Sequence, residues 1–405
     1  MLIDLLQHGP SPHLWRADAH DRNIDGASPL VTMRRPARRG EAWRNPVDSL
    51  ANPVNGRMFS QIDRQILKCW RQYLIEPRIA KCTGRVLRNT GPRIAVVGNC
   101  QSFGVAYAMK VLDPSATVDH YSVIGHSRAN MDLFARTLAT YDHVFTHEFL
   151  DGHVRGGNSD ELCRRLPQAL MFPGIGFAAF HPDLIYIHDL QQLHGFVFGP
   201  IGPYHSAVGL FAYRKGLSLE EANALFNENV FEALGYFEVW NGAAKELLDL
   251  GKKFDFDLSA DLMKWSRRGV FMYSTVHPMS FVLFDLAKRI WEKVGLTPRA
   301  VDFDYYDIRD LSRAEIFPVY PPIAKMLGVQ GGYLFKLGNH HLAQTVGDFL
   351  TLPQYLAACY KIYAAHEASR LGNARVDAWL ADEKTSDLLV RLARENLKAG
   401  LTPTL

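Results

Sequence analysis

The sequence has few cysteines, little net charge and no long apolar run, and each shortage excludes a class of protein. Five cysteines are scattered over 405 residues; their odd number and irregular spacing argue against a disulfide framework and for thiols in a reducing compartment. Lysine and arginine number 45 against 42 aspartates and glutamates, a formal net charge of +3, so a protein that neutralises nucleic acid phosphates is not expected. No apolar stretch approaches the roughly 18 residues of a transmembrane helix.

The remaining composition is that of a globular protein. Hydrophobic residues make up 47% and charged residues 21% of the chain, which excludes wholesale disorder and fibrous classes. The first residues, MLIDLLQHGP, carry an acidic residue where an export signal is basic. We therefore expect no signal peptide and a cytoplasmic location.

Patterning along the chain predicts four regions. Residues 1–58, rich in arginine, aspartate, asparagine and proline, form an irregular N-terminal extension, and residues 59–92 contain a leading helix with apolar residues at helical spacing. Residues 93–345 form an α/β catalytic region, and residues 346–405 form a helical C-terminal tail.

The α/β region alternates short apolar strands with helical patterns. Strands are predicted at 93–98, 118–124, 143–146, 170–172 and 184–187, with helices after the first strand and at 131–139 and 160–166. Such alternation predicts a parallel sheet flanked by helices, a flavodoxin-like three-layer core with active residues at the carboxyl ends of the strands.

Past Gly199 the pattern becomes mostly helical. Ser218 and Glu221 form a capping box that begins a helix predicted to run through Leu234, with Gly235 as its stop. Further helices are predicted at 259–268, after Pro278 and in the C-terminal tail.

The turn after the first strand carries the leading candidate for a nucleophile. Cys100 lies in Gly98-Asn-Cys-Gln-Ser102, where the strand ends and a helix begins. Backbone N–H groups and the positive end of the helix dipole favour a thiolate there, and the same groups can hold an oxyanion. Asn99, Gln101 and Ser102 either supply donors to that oxyanion or brace the turn. The alternative for Cys100 is a buried thiol that packs as a small apolar side chain.

A thiolate nucleophile needs a base, and His277 is the best candidate. It precedes Pro278, where an extended segment gives way to a helix. An imidazole, whose ordinary pKa lies near neutrality, can take the thiol proton and return it to a leaving group. The alternative is a surface or capping histidine.

Two irregular segments hold further candidates for substrate binding or for orienting the base. They are His181-Pro-Asp183 and the pair Tyr204-His205 after a glycine- and proline-rich turn. The alternative is that these side chains satisfy loop backbone groups.

Metal catalysis and dinucleotide binding have weaker support. The histidine clusters lack HExxH or paired CxxC spacing, and the turn at Gly98 lacks the second glycine of GxGxxG. We therefore expect no metal. The clusters are His143, His147 and His153; His188, Asp189 and His194; and His340 with His341.

Two segments resemble blocks of SGNH-type hydrolases. IAVVGNCQS at 94–102 has the layout of their first block, and STVHPMSFVLFDLAKRI at 274–290 is similar to their last block, Asp-x-x-His-Pro followed by a helix. Cys100 stands where those enzymes have serine, and Ser274 stands where they have the carboxylate. An orienting group for His277 would then come from elsewhere, with Asp183 and Asp189 as candidates.

A closer resemblance, over roughly Arg93 to Lys336, is to the WcbI family of polysaccharide biosynthesis. Seven ordered segments carry it: GNCQ at 98–101, HPD at 181–183, GPYHS at 202–206, GLSLEEA at 216–222, LGYF at 234–237, FMYSTVHP at 271–278, and YPPIAKMLGVQGGYLFK at 320–336. The resemblance implies binding of coenzyme A or acetyl-CoA and transfer of an acetyl group to a sugar. It also implies association with polysaccharide-assembly enzymes.

The phosphates and thioester of coenzyme A need cations or helix N-termini and an oxyanion hole. Gly98, Arg128, Lys336 and the pair Arg267 and Arg268 are candidates to contact it, with a solvated charge as the alternative for each cation. The expected function is coenzyme-A-dependent acyl transfer to a sugar or polysaccharide precursor, with Cys100 as nucleophile or as a thiol that shapes the site. The alternatives are an SGNH-like esterase or deacetylase of acylated saccharide, and a non-catalytic scaffold of a surface-polysaccharide system.

Overall fold

The computed structural model describes residues 60–84, 91–125, 127–187, 196–306, 311–338 and 348–403. The predicted extension over residues 1–58 lies outside these ranges. The first half alternates helices and strands, in the chain order α1 (Gln61–Trp70), α2 (Glu76–Thr83), β1 (Arg93–Gly98), α3 (Cys100–Leu112), β2 (Thr117–Ser122), α4 (Met131–Leu138), β3 (His143–Thr146), α5 (Ser159–Arg165), β4 (Ala169–Met171) and β5 (Leu184–Ile185).

The second half is mostly helical, as predicted. Its elements are β6 (His205–Ser206), α6 (Ala207–Arg214), α7 (Leu219–Asn223), α8 (Glu228–Ala233), α9 (Val239–Lys253), α10 (Ser259–Arg267), β7 (Met272–Ser274), β8 (His277–Pro278), α11 (Ser280–Lys293), α12 (Pro321–Leu327), β9 (Leu334–Lys336), β10 (Phe349–Thr351), α13 (Leu352–Ala364), α14 (Ala374–Ala381) and α15 (Glu383–Lys398). None of the helices in the described ranges is both long and apolar enough to cross a bilayer.

The central sheet has four parallel strands in the order β2-β1-β3-β4. Side chains alternate across β1, so Ile94 and Val96 join one buried cluster with α3 while Ala95 and Val97 join another with α1 and α4. Helices therefore cover both faces of the sheet, which confirms the predicted three-layer α/β core.

Helix α1 covers the outer edge of the sheet. It begins at a capping box in which Ser60 and Asp63 bond each other's backbone N–H groups. The amide of Gln61 donates to the carbonyl of His120 at 2.8 Å and accepts from the N–H of Ser122 at 2.7 Å. These bonds satisfy backbone groups of edge strand β2 that a further strand would otherwise pair.

The helix predicted from Ser218 through Leu234 is two helices, which corrects the sequence reading. The capping box of Ser218 and Glu221 is present. The side-chain amide of Asn227 donates to the carbonyl of Ala224 at 2.6 Å and replaces the backbone donor that a continuous helix would supply. This side-chain hydrogen bond competes with the backbone bond of a continuous helix, and α7 ends before α8 begins.

The C-terminal helices share the core of the α/β region. Leu352, Leu356 and Leu389 belong to the same buried cluster as Ile94 of β1. The buried guanidinium of Arg375, on α14, donates to the carbonyl of Pro182 at 2.5 Å, and the amide of Asn373 donates to the carbonyl of Tyr186 at 3.0 Å. The end of the chain thus supports loops in its middle.

Candidate active site around Cys100

Cys100 is the first residue of α3 and is half-buried at the carboxyl edge of the sheet. Asn99 caps this helix, because its side-chain oxygen accepts from the N–H of Gln101 at 3.1 Å. A methyl group at Gly98 would lie 2.9 Å from Cβ of His147, so only glycine allows β1 and the segment after β3 to approach this closely. Because Cys100 is half-buried at the first position of α3, its thiol lies at a helix N-terminus rather than in a sealed core.

Gln101 ties the Cys100 turn to the segment that carries His277. It is 1% exposed, and its amide N–H groups donate to the carbonyls of Ile175 at 2.9 Å and Val276 at 2.8 Å. Its oxygen accepts from the N–H of Ile175 at 2.9 Å. Because both amide hydrogens are engaged, the side chain of Gln101 braces the turn.

Ser102 connects the turn to His120 on β2. Its hydroxyl donates to the carbonyl of Asn99 at 2.6 Å and lies 2.8 Å from Nε2 of His120. With its hydrogen used, the hydroxyl accepts from an Nε2–H group. Burial lowers the pKa of His120 to about 4, so this imidazole is neutral near pH 7 and braces the turn without adding charge.

His277 meets Tyr204 beside the Cys100 turn. The hydroxyl of Tyr204 lies 3.2 Å from Nδ1 and 3.3 Å from Nε2 of His277, and the two rings pack edge to face. Burial and the charges of Tyr186 and Cys100 raise the pKa of Tyr204 well above its ordinary value, against a hydrogen bond from Ser274. His277 thus contacts Tyr204, and its neighbour Val276 is bonded to Gln101, the residue after Cys100.

Asp183 is the centre of a buried network. The N–H of Val208, at the start of α6, donates to it at 3.0 Å, and the hydroxyls of Tyr236 and Tyr320 donate at 2.9 Å each. Burial nevertheless raises its pKa, against these donors and the hydroxyl of Ser206. Asp183 therefore holds the start of α6 and the hydroxyls of Tyr236 and Tyr320 together in the protein interior.

Two of the predicted binding histidines are buried inside the protein. His205 has both ring nitrogens engaged, with the hydroxyl of Tyr363 at 2.9 Å from Nδ1 and the carbonyl of Val197 at 2.9 Å from Nε2. His181 is 2% exposed and packs edge-on against Phe317. Neither histidine presents its ring to solvent. Asp189, the other candidate orienting group, lies outside the described residues.

Of the predicted phosphate-binding cations, Arg268 is paired with Asp304 at 3.2 Å, and Lys336 and Arg128 differ in their surroundings. The ammonium of Lys336 donates to the carbonyls of Ala314 at 3.0 Å and Leu337 at 3.1 Å, and burial lowers its pKa. Arg128 is exposed on the loop after β2, with its backbone N–H held by Asp63. Lys336 is thus committed to backbone carbonyls, whereas Arg128 lies at the sheet edge.

Sequence reasoning missed two residues near the site. Burial and the charge of Cys100 raise the pKa of Tyr186, and its ring packs edge-on against Tyr204 at 5.6 Å. The carboxylate of Glu315 lies against Gly202, where an added methyl group would be 2.9 Å from its Cδ. Neither residue belongs to a recognisable chemical motif. The one signal in the sequence was the position of Tyr186 in a predicted strand directly after His181-Pro-Asp183.

No group of three histidine, cysteine, aspartate or glutamate side chains within the described ranges is arranged to hold a metal ion. The cluster of His143, His147 and His153 falls within these ranges. The clusters at 188–194 and 340–341 lie outside the described residues.

A family model described as the polysaccharide biosynthesis enzyme WcbI matches residues 93–299, just over half of the chain. The chain belongs to the WcbI family of polysaccharide biosynthesis enzymes. A solved structure of WcbI is similar in fold, with 15% sequence identity and a TM-score of 0.50 over 75% of this chain and 99% of that one. It is described as a novel polysaccharide biosynthesis enzyme, in its native form without a disulfide bond between coenzyme A and one of its cysteines. No curated protein matches the chain.

Proposed function

We propose that this WcbI-family enzyme transfers an acyl group, such as acetyl, from coenzyme A to a hydroxyl of a sugar or polysaccharide precursor. The observation that carries the proposal is the half-buried Cys100 at the N-terminus of α3, whose next residue, Gln101, is bonded to the segment that carries the Tyr204–His277 pair. The WcbI structure described in terms of coenzyme A and a cysteine supports the choice of acyl carrier.

In the first route, Cys100 is the nucleophile. His277 takes the thiol proton, the thiolate attacks the thioester carbonyl, and the carbon–sulfur bond to coenzyme A breaks as the proton passes to the leaving sulfur. The sugar hydroxyl then attacks the acylated Cys100 and gives its proton to His277. An ester forms, and the cysteine is regenerated when His277 returns that proton.

In the second route, His277 deprotonates the sugar hydroxyl for direct attack on the thioester, and Cys100 shapes the site. Tyr204 orients His277 in both routes through its hydroxyl. The positive end of the α3 dipole stabilises the developing oxyanion. We further propose that the enzyme acts in the cytoplasm beside other polysaccharide-assembly enzymes.

The test measures release of coenzyme A from acetyl-CoA with and without candidate sugar nucleotides. We expect acceptor-dependent release, lowered by about 10²-fold or more in His277→Ala. Cys100→Ala should abolish release in the first route and retain part of it in the second. An acetyl adduct on Cys100, detected by mass spectrometry without acceptor, would select the first route.

Cys82→Ala is the matched control, since Cys82 is an exposed thiol away from this turn. Hydrolysis of acylated saccharide without coenzyme A binding would instead establish an esterase. Unchanged cellular polysaccharide in a strain carrying Cys100→Ala would contradict catalysis and favour a scaffold.

A further inference from the structure

The helical segment before the sheet has two apolar faces. Helix α1 continues through one π-helical turn, Arg71–Ile75, into α2, so residues 61–83 form one continuous helical segment. Its inner face is buried with the sheet, because Ile62 and Ile66 belong to the same cluster as Ala95 of β1. Its outer face carries five large apolar side chains that are 37–55% exposed: Leu67, Trp70, Leu74, Ile75 and Ile79.

The spacing of these five side chains places them along one side of the segment. Leu67, Trp70 and Leu74 are three and four positions apart, and Ile75 and Ile79 are four apart, the spacings of neighbours on a helix surface. The hydrogen bonds of the π-helical turn span five positions rather than four. The turn therefore holds about one extra residue, which brings Ile75 and Ile79 round toward the side of Leu67. A contiguous exposed apolar row of this kind marks a contact surface.

The charge beside this outer face is positive. Five cationic residues of the segment are exposed, whereas neither of its two acidic residues, Asp63 and Glu76, is exposed. Two of the cations are paired, Lys68 with Asp119 at 2.6 Å and Arg71 with Glu76 at 3.1 Å. The remaining three cations form no ion pair within the described ranges: Arg64, Arg78 and Lys81. The outer face is thus both apolar and basic, the combination that binds anionic lipid.

Charge also distinguishes between the possible occupants of the outer face. A second copy of the chain would bring two basic surfaces together, and like charges in contact repel. Residues 1–59 contain eight arginines against six acidic residues, so they supply no excess of negative charge to complement it. An anionic bilayer supplies acyl chains for the apolar row and phosphates for the cations.

We propose that the outer face of α1 and α2 binds the surface of an anionic phospholipid bilayer. The five apolar side chains insert at the boundary between headgroups and acyl chains, and the cations contact lipid phosphates. The segment precedes residue 93, where the family match begins. The inference therefore concerns a surface outside the stretch that defines the family, and it does not depend on the proposed acyl transfer.

The test is flotation of the full-length protein with vesicles of phosphatidylcholine alone and of phosphatidylcholine mixed with phosphatidylglycerol. We expect binding to the phosphatidylglycerol vesicles that weakens as salt is added, and much weaker binding to phosphatidylcholine alone. Ile75→Ser combined with Ile79→Ser should weaken binding by about tenfold or more, because apolar burial is lost. Arg64→Gln, Arg78→Gln and Lys81→Gln together should weaken it by about a hundredfold, since each basic residue near an anionic surface contributes roughly fivefold.

Met263→Ser is the matched control, because Met263 on α10 is 57% exposed and lies outside this segment. It should bind vesicles like the wild type. Acceptor-dependent release of coenzyme A in solution should be the same for the double isoleucine variant and the wild type, so failure of this inference and failure of the proposed function are recognised separately.

A wild type that does not bind phosphatidylglycerol vesicles would overturn the inference, as would equal binding by the wild type and both variants. Dimerisation of the wild type that is lost in the double isoleucine variant, without vesicle binding, would also overturn it and would assign the outer face to a second copy of the chain.

Discussion

The hydroxyl of Tyr204 is nearly equidistant from the two ring nitrogens of His277, so it can bond either one. Its raised pKa keeps the phenol protonated at neutral pH. The phenol oxygen accepts from the imidazole nitrogen that carries a hydrogen, which leaves the other nitrogen available for the proposed proton transfer. Tyr204 thereby holds the ring of His277 without occupying its basic nitrogen.

Tyr204→Phe should lower acceptor-dependent turnover by about fivefold, because one hydrogen bond of roughly 1 kcal/mol that orients the base is lost. Coenzyme A affinity should stay the same, and the pH dependence of turnover should shift. The comparison is Tyr360→Phe, whose hydroxyl donates to the carbonyl of Leu217 at 3.3 Å. Equal turnover of the two variants over the full pH range would contradict the orienting role.

At the scale of elements, Gln101 joins three segments that are distant in sequence. Its side chain connects the start of α3 to the loop at Ile175 and to Val276, just before β8. This buried amide is one of the contacts that fix Cys100 relative to His277.

Gln101→Ala should lower the free energy of unfolding by about 2–4 kcal/mol, since it leaves buried groups of Ile175 and Val276 without their partners. Urea denaturation measures this change. Gln65→Ala is the control, with an expected loss below about 1 kcal/mol, because Asp119 keeps other donors when the 2.7 Å bond from Gln65 is removed. A loss for Gln101→Ala no larger than for Gln65→Ala would show that the bridge is dispensable.

At the scale of the whole molecule, buried neutral histidines set the response to acid. Burial lowers the pKa of His120 and His205 to about 4 and of His147 and His181 to about 3, against about 6.5 in an unfolded chain. As the pH falls below 6.5 the unfolded state binds protons that the folded state does not. The stabilising contribution of these four histidines is therefore complete above about pH 6.5. It is lost progressively as the pH falls towards their pKa values in the folded state.

The free energy of unfolding should fall between about pH 6.5 and pH 4, by at most about 1.4 kcal/mol per pH unit for each histidine. Asp183 acts in the opposite direction, because its raised pKa makes the folded state gain a proton first. Denaturation at several pH values measures the slope. His205→Gln should make the dependence of the unfolding free energy on pH less steep. A slope identical to that of the wild type would show that His205 does not contribute to the acid response.

Local pattern was sufficient to predict much of the α/β core. The β-branched run of β1 and the asparagine and serine helix caps depend on near neighbours, so the four strands of the sheet and most helix boundaries were predicted to within a few residues. The strand predicted at 184–187 is instead outside this sheet, where β5 pairs antiparallel with β6. The expectation that His277 serves Cys100 came from chemistry rather than from pattern and stays a prediction. The buried partners of Asp183 could not be predicted, because Tyr320 reaches it from 137 positions away.

The stretch that matches the family ends at residue 299, whereas the hydroxyls of Tyr355 and Tyr363 and the guanidinium of Arg375 come later and hold the backbone or side chains of Tyr204, His205 and Pro182. A protein that contained only the matched stretch would have Tyr204 and His205 without these hydrogen-bond partners. A shortened or chimeric protein must therefore keep the last hundred residues, because they hold Tyr204 and His205 in place.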